Sequence, residues 1–128
     1  MMGSDEKTAL SGPRTFPKKE RLIKTGEFRK IYKSGSSLSS GPFVLKVLPN
    51  TLSLNRIGFS ISSRSIKKAF RRNRVRRLFR EVFRLTKGKL KNGFDMTLVV
   101  RKDPAVKFSY KDAENIFLNL ARKARILV

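Results

Sequence analysis

The spacing of apolar residues along the chain switches between two periods, and the switches mark its elements. After a polar stretch over residues 1–20, broken by Gly3, Gly12, Pro13 and Pro17, residues Phe28, Ile31 and Tyr32 fall at i, i+3, i+4, the spacing of one helix face. Thr25 is placed to cap that helix and Gly35 to end it. The run Ser36-Ser37-Leu38-Ser39-Ser40-Gly41-Pro42 reads as a loop. Phe43 to Leu48 predicts a strand closed by Pro49 and Asn50. Ile57 to Ser62 predicts a second, with Ile57, Phe59 and Ile61 on one face and Gly58, Ser60 and Ser62 on the other. So small and polar a face suggests a surface left open to a ligand, although plain solvent exposure gives the same pattern.

From about Lys68 to Leu85 the period is helical again. With about 100° per residue and Val75 at zero, Leu78, Phe79, Val82 and Phe83 lie between about −60° and +80°. Asn73, Arg76, Arg77, Arg80 and Arg84 fall at about 100° to 200°, opposite, and Arg72 and Arg74 flank the apolar stripe. Such a helix packs its apolar side inward and shows its arginines to solvent. Phe94 to Val100 predicts a further strand between Asn92-Gly93 and Asp103-Pro104. The last helix opens on Ser109 and Asp112, spaced as a capping box, and Ala113, Ile116, Phe117, Leu120, Ala121 and Ala124 form its inward stripe. The order helix–strands–basic helix–strand–helix describes one α+β domain over residues 21–128, with about four strands in a sheet packed against helices. Residues 1–20 are expected to be a flexible basic arm whose Arg14, Lys18 and Lys19, with the adjoining Arg21, touch phosphates.

Charge changes this picture from a generic small domain to a binder. The 128 residues carry 31 Lys and Arg against 9 Asp and Glu, a net charge of +22, which attracts polyanions and opposes compaction by self-repulsion. Between residues 64 and 84 stand Arg64, Lys67, Lys68, Arg71, Arg72, Arg74, Arg76, Arg77, Arg80 and Arg84, with Glu81 the one acid among them. An ordinary solvated helix face mixes signs at i, i+4. Here Arg76, Arg80 and Arg84 repel one another at that spacing, a cost that an incoming polyanion removes. Arg suits the task because its planar fork grips phosphate at two points and never loses its charge. A rise of about 6 Å per four residues roughly matches the spacing of phosphates along an RNA strand.

Other chemistry is excluded by what is missing. There is no Cys and no His, so neither disulfides, thiolate or imidazole metal sites, nor Ser-His-Asp or Cys-His catalysis are available. No catalytic residue and no protein-bound metal or cofactor is expected, and no small-molecule substrate. No segment has the roughly 20 apolar residues of a membrane span, and no apolar signal core is present near residue 1, so a cytoplasmic protein without a membrane partner is expected. The aromatic stripe Phe28 and Tyr32 is either core or a platform for unpaired bases, with Arg29, Lys30 and Lys33 guiding the backbone.

Taken together, Arg56-Ile57-Gly58-Phe59-Ser60, the run Ala69-Phe70-Arg71-Arg72-Asn73-Arg74-Val75-Arg76-Arg77-Leu78-Phe79-Arg80-Glu81-Val82-Phe83-Arg84, and Phe94-Asp95 resemble the bacterial ribonuclease P protein component. Arg21-Leu22 and Glu27 to Gly35 resemble the same family's first helix, and the similarity spans residues 18 to 124. The resemblance implies the small basic subunit of a ribonucleoprotein endonuclease that removes the 5′ leader of precursor tRNA. It implies that the partner RNA is the catalyst and holds the Mg²⁺ ions. By matching position, Arg72, Asn73, Arg74, Arg76, Arg77 and Arg80 would face the catalytic RNA and the nearby cleavage site, and Phe28, Tyr32, Val44 and Lys46 would line a cleft for the leader; the charge of the same run adds Arg71, Arg84, Arg64, Lys67 and Lys68 to the expected RNA-binding residues. It also implies a left-handed crossover around the basic helix, against the usual preference.

Two departures stand out: Ser63 to Lys68 is one residue longer than the family's loop and lacks its Gly, and Lys46 replaces a common aromatic. The runner-up is a ribosomal protein or general RNA chaperone, supported by charge alone. Double-stranded DNA binding has neither a helix-turn-helix nor a zinc pattern behind it.

Overall fold

Two faces of one sheet organise the chain, and the apolar stripes decide which element lies on which. The computed structural model describes residues 16–22, 24–104 and 107–128, so residues 1–15 of the expected arm, Arg14 among them, lie outside the described residues. The elements are α1 (Thr25–Ser34), β1 (Ser36–Ser40), β2 (Phe43–Pro49), β3 (Arg56–Ile61), α2 (Ala69–Thr86), β4 (Phe94–Val100) and α3 (Tyr110–Lys123). The sheet order is β1-β2-β4-β3. β1, β2 and β4 are antiparallel neighbours, while β3 lies parallel to β4 and reaches it through the crossover helix α2. The fold is the expected single α+β domain.

One sheet face carries Phe43, Leu45, Val47, Ile57, Ile61, Met96, Leu98 and Val100. It is buried under Val75, Phe79, Val82 and Phe83 of α2 and Ala113, Phe117, Leu120 and Ala121 of α3. Phe43, Phe79 and Phe108 form an aromatic knot at its centre, with ring centroids 5.4–6.0 Å apart, a geometry that adds about 0.5–1.5 kcal/mol per pair to the burial itself. The expected phase of α2 is therefore the observed one, with Leu78 only half-buried at its margin. The capping box is also formed. Ser109 Oγ accepts from the Asp112 N–H at 3.3 Å and the Asp112 carboxylate accepts from the Ser109 N–H at 2.9 Å.

The opposite sheet face is partly covered by α1, through Ile31, which is fully buried, together with Leu22 and Val44. On the face expected to be open, the Phe28 ring lies against Gly58: a Cβ there would stand 2.4 Å from the ring, so glycine is what lets the ring lie on the strand. Arg56 fixes the first turn of α1 to the same face. It donates to both carboxylate oxygens of Asp95 at 2.8 and 2.7 Å and to Glu27 at 2.6 Å. The Asp95 hydrogen bonds raise the Arg56 pKa against the opposing effect of burial. Asn50 completes the Asp95 shell at 2.9 Å.

Several local expectations are corrected. Ser36–Ser40 is a strand, not a loop, because Gly41 (φ 58°) opens a two-residue turn that folds it back in register on β2, from Ser40 opposite Phe43 to Ser36 opposite Val47. Thr25 does not cap α1; the chain enters from Lys24 with no side-chain cap. Gly35 does end α1, but with φ −80°. Its role is close approach, since a Cβ there would meet the Ile31 carbonyl at 2.6 Å. α2 runs to Thr86, whose hydroxyl donates to the Val82 carbonyl at 2.7 Å, and continues as a 3-10 turn over Lys87–Lys89. At the other end, residues 16–20 are held in place. Lys18–Glu20 is a 3-10 turn, Phe16 meets the Phe83 ring edge-on at 5.4 Å, and Glu20 pairs with Lys87 at 2.8 Å.

Arg71, at the start of α2, is tied to the segment after β4. It donates to both oxygens of Asp103, at 2.8 and 2.6 Å, and to the Pro104 carbonyl at 3.1 Å. This guanidinium holds the Asp103 carboxyl below its ordinary value of 3.8. A depressed carboxylate pKa stabilises the fold above the unfolded value and stops doing so as pH falls through the folded one. Asp103→Asn should therefore flatten the part of the acid loss of Tm that occurs below about pH 4, read from thermal melts across pH; an unchanged profile would place the acid response elsewhere. Gly58→Ala should cost ~1–3 kcal/mol by overpacking against Phe28. Adding Phe28→Leu should make the double variant lose less than the two single losses summed, as urea titration would measure.

Candidate nucleic-acid interface

The burial of Val75, Phe79, Val82 and Phe83 turns the other side of α2 to solvent, and its cations then separate by what they bond. Arg71 is held by Asp103. Arg72 donates to the carbonyls of Ile66 and Lys67, both at 2.9 Å, and Arg74 to the carbonyl of Phe108 at 2.9 Å. Arg84 pairs with Glu81 in the next turn back. Arg71, Arg72 and Arg74 thus fasten α2 to its surroundings, whereas the Arg84–Glu81 pair lies within the helix. Arg77 and Arg80, both exposed, have no ion pair with a described residue, and half-buried Arg76 donates only to Asn73 Oδ1, at 3.0 Å. Arg64, Lys67 and Lys68 lie exposed on the preceding turn. The helix has no acid in its first turn and no side-chain cap, so its positive pole adds to their field.

The long loop before α2 is firmly built. Ser62 Oγ accepts the Ser65 N–H at 3.1 Å, Ile66 is buried at 1% exposure, and Arg72 grips the two carbonyls that follow. With Arg71, Asp103 and Pro104 this turn encloses a hollow of about 540 Å³ lined by Arg64, Lys67 and Lys68.

At the other end of the strip, Arg76 and Arg80 reach the free edge of β3. There, with Phe16, Arg21, Leu22, Phe28, Ile57, Gly58 and Phe59, they line a cavity of about 130 Å³. Arg21 donates to the Phe16 carbonyl at 2.9 Å and stands 5.1 Å over its ring. The Leu22 N–H bonds the Ile57 carbonyl at 3.0 Å, which lays this segment along β3. Burial lowers the pKa of Arg80, and the nearby charges of Arg76 and Arg21 lower it further. The guanidinium still holds its proton at any physiological pH, so the three cations stand together without an acid, and an anion among them would relieve that repulsion.

The four residues expected in a cleft beside α1 divide between two places. Tyr32 is 43% exposed, and Lys46 Nζ stands 5.2 Å over its ring while donating to Ser37 Oγ at 2.8 Å. Val44 is buried beneath. Phe28 lies at the other end of α1, in the cavity with Arg76 and Arg80. Sequence reasoning missed the part of Phe16 and gave Arg21 only a loose phosphate contact. Both sit in a polar stretch without periodicity, and only tertiary contact gives them a place.

No acid is available for a metal among the described residues. Glu27 and Asp95 bond Arg56, Asp103 bonds Arg71, Glu81 bonds Arg84, Glu20 bonds Lys87, Glu114 bonds Lys111, and Asp112 caps α3. Accordingly, no group of three or more metal-ligating side chains occurs among them, and the donor set does not fit Mg²⁺. No helix among the described residues is long and apolar enough to cross a membrane.

Comparison with known proteins gives the family. The family described as Ribonuclease P matches residues 16–125. The ribonuclease P protein component of Clostridium kluyveri is 41% identical over 106 residues, covering 81% of this chain and 93% of that one. Its counterpart in Alkaliphilus oremlandii is 36% identical over 107 residues, covering 84% and 92%. Among solved structures, the RNase P protein of Thermotoga maritima superposes with a TM-score of 0.71 at 33% identity, over 81% of this chain and 96% of that one. That of Staphylococcus aureus gives 0.75 at 26% identity, over 85% and 98%. With a matching family over nearly all of the described fold, this chain belongs to the ribonuclease P protein component family.

Proposed function

We propose that the chain works as the protein subunit of a ribonuclease P ribonucleoprotein, engaging the catalytic RNA through α2 and the 5′ leader of precursor tRNA beside α1. The observation that carries this is the single arginine-lined surface that continues from α2 round the free edge of β3 to Phe28. On α2, Asn73, Arg76, Arg77 and Arg80 are the open contacts, with Arg64, Lys67 and Lys68 extending them. Arg71, Arg72 and Arg74 hold the helix in place and offer their remaining donors, as does Arg84 beside its partner Glu81. Tyr32 and Lys46 would receive the leader over Val44, Lys46 supplying charge where an aromatic would supply a second ring.

Hydrolysis itself, and the Mg²⁺ it uses, belong to the RNA. Among the described residues every side-chain carboxylate is already bonded to a cation or closes a helix cap, which supports that division. Its part is to neutralise phosphates near the cleavage site, which lets the RNA keep its own metal ions at lower Mg²⁺ concentration, in the cytoplasm where tRNA is matured.

Purified protein added to ribonuclease P RNA at low Mg²⁺ should accelerate removal of the leader, and alone should cleave nothing; absence of stimulation would sink the proposal. Equal affinity for mature and precursor tRNA in the holoenzyme would favour a general RNA chaperone instead. Arg76→Ala combined with Arg80→Ala should weaken assembly and reduce the slope of log K against log salt by ~1–2 units; an unchanged slope would remove them from the phosphate contacts. Tyr32→Ala should leave assembly intact and cost ~1–3 kcal/mol of precursor binding if its ring stacks on a base. A fall in Tm of that variant would instead make Tyr32 a packing residue.

A further inference from the structure

Phe70 is the one phenylalanine of this chain that the described fold leaves outside. Of the ten, the other nine are buried or half-buried, whereas Phe70 is 66% exposed on the first turn of α2. By position it falls at about 220° on the helix, on the strip that carries Asn73 and Arg77, one and two turns further along. Its neighbours in sequence have settled roles: Arg71 is turned to Asp103 and Arg72 to the carbonyls of Ile66 and Lys67. The ring therefore stands between cations without touching the core. Lys68 Nζ is 5.8 Å from its centroid, and Arg64 and Lys67 are exposed on the turn before it.

A single exposed apolar side chain is ordinary on a protein surface. An exposed aromatic face with a lysine beside it, next to a turn carrying two further exposed cations, is a more specific arrangement, because it matches both parts of a nucleotide: a flat ring for the base and charge for the phosphates beside it. A paired base cannot reach such a ring, so the occupant is an unstacked one. Phe70 also lies on α2, the element proposed above to face the catalytic RNA, and away from the Tyr32 and Lys46 cleft on the far side of the sheet. Resting on that proposed function, we infer that Phe70 is a stacking platform for one unpaired base of the catalytic RNA, with Lys67 and Lys68 taking the adjoining phosphates.

The chain has no tryptophan, which makes the test direct. Phe70→Trp introduces a sole indole; titrated with ribonuclease P RNA it should bind as the parent does, with its emission quenched at saturation. Phe70→Ala should keep the parental Tm, since the ring makes no core contact, and lose about 5- to 150-fold in affinity for that RNA, the range given by one base–aromatic stack. Its salt slope should stay unchanged, because a ring releases no counterion, while Lys67→Ala and Lys68→Ala should each lower the slope by about 1. Undiminished affinity of Phe70→Ala, or unquenched emission of Phe70→Trp in a complex that forms normally, would overturn the stacking role and leave the proposed function standing. Failure of the parent protein to bind the RNA would remove both. Quenching of Phe70→Trp by polyglutamate to the same extent would assign the ring to an acidic protein partner and overturn the inference as well.

Discussion

Everything on the charged side of this molecule depends on how four apolar residues of α2 are buried. Val75, Phe79, Val82 and Phe83 lock the helix by rotation against the sheet and α3. Each fully buried side chain of this kind is worth about 1.5–3 kcal/mol, so a turn of the helix that brought its arginines inward would forfeit several such terms at once. The repulsion among Arg76, Arg80 and Arg84 is opposed chiefly by this packing, with the Arg84–Glu81 pair as its local relief. The helix that carries these arginines is thus held in one rotation by the core behind it.

The scarcity of acids then decides which cations are structural. With so few carboxylates against so many bases, most described acids join two parts of the chain or close a helix end, while Glu81 and Glu114 pair within their own helices. Asp95 and Glu27 converge on Arg56, and Asp103 reaches Arg71 across 32 residues of sequence. Backbone carbonyls serve where acids are lacking, at Ile66, Lys67 and Phe108. What remains outside these bonds, Arg77, Arg80, Lys67 and their neighbours, is left over because the fold has nothing to give it. Among the described residues the same economy leaves no oxygen cluster for a divalent ion.

Elements governed by local rules were legible in the sequence, and those governed by distant partners were not. The phase of α2, the bounds of β4 at Phe94–Val100 and the cap of α3 at Ser109 rest on periodicity and on bonds within three residues. Ser36–Ser40 has the composition of a loop, since serine has no strand preference and Leu38 is its one apolar residue. It becomes a strand because the Gly41-Pro42 turn lays it against β2. The close packing at Gly58 depends on Phe28, thirty residues earlier. Of the site, the outward arginine face could be read directly from helix phase. Which arginines were already bonded could not, because their partners lie on segments that the sequence alone does not bring near.

The segment laid along β3 has one more effect. A strand at the margin of a sheet presents unpaired N–H and C=O groups that invite pairing with another chain. In a sheet ordered β1-β2-β4-β3 the two margins are β1 and β3. β1 is five residues long and mostly serine, a poor template. β3 is apolar, and the bond from Leu22 to Ile57, with Arg21 beside it, occupies part of that margin. The residues that wall the arginine cavity thereby also act as a guard against self-association, so the chain meets its RNA with the more adhesive of its two margins already shielded.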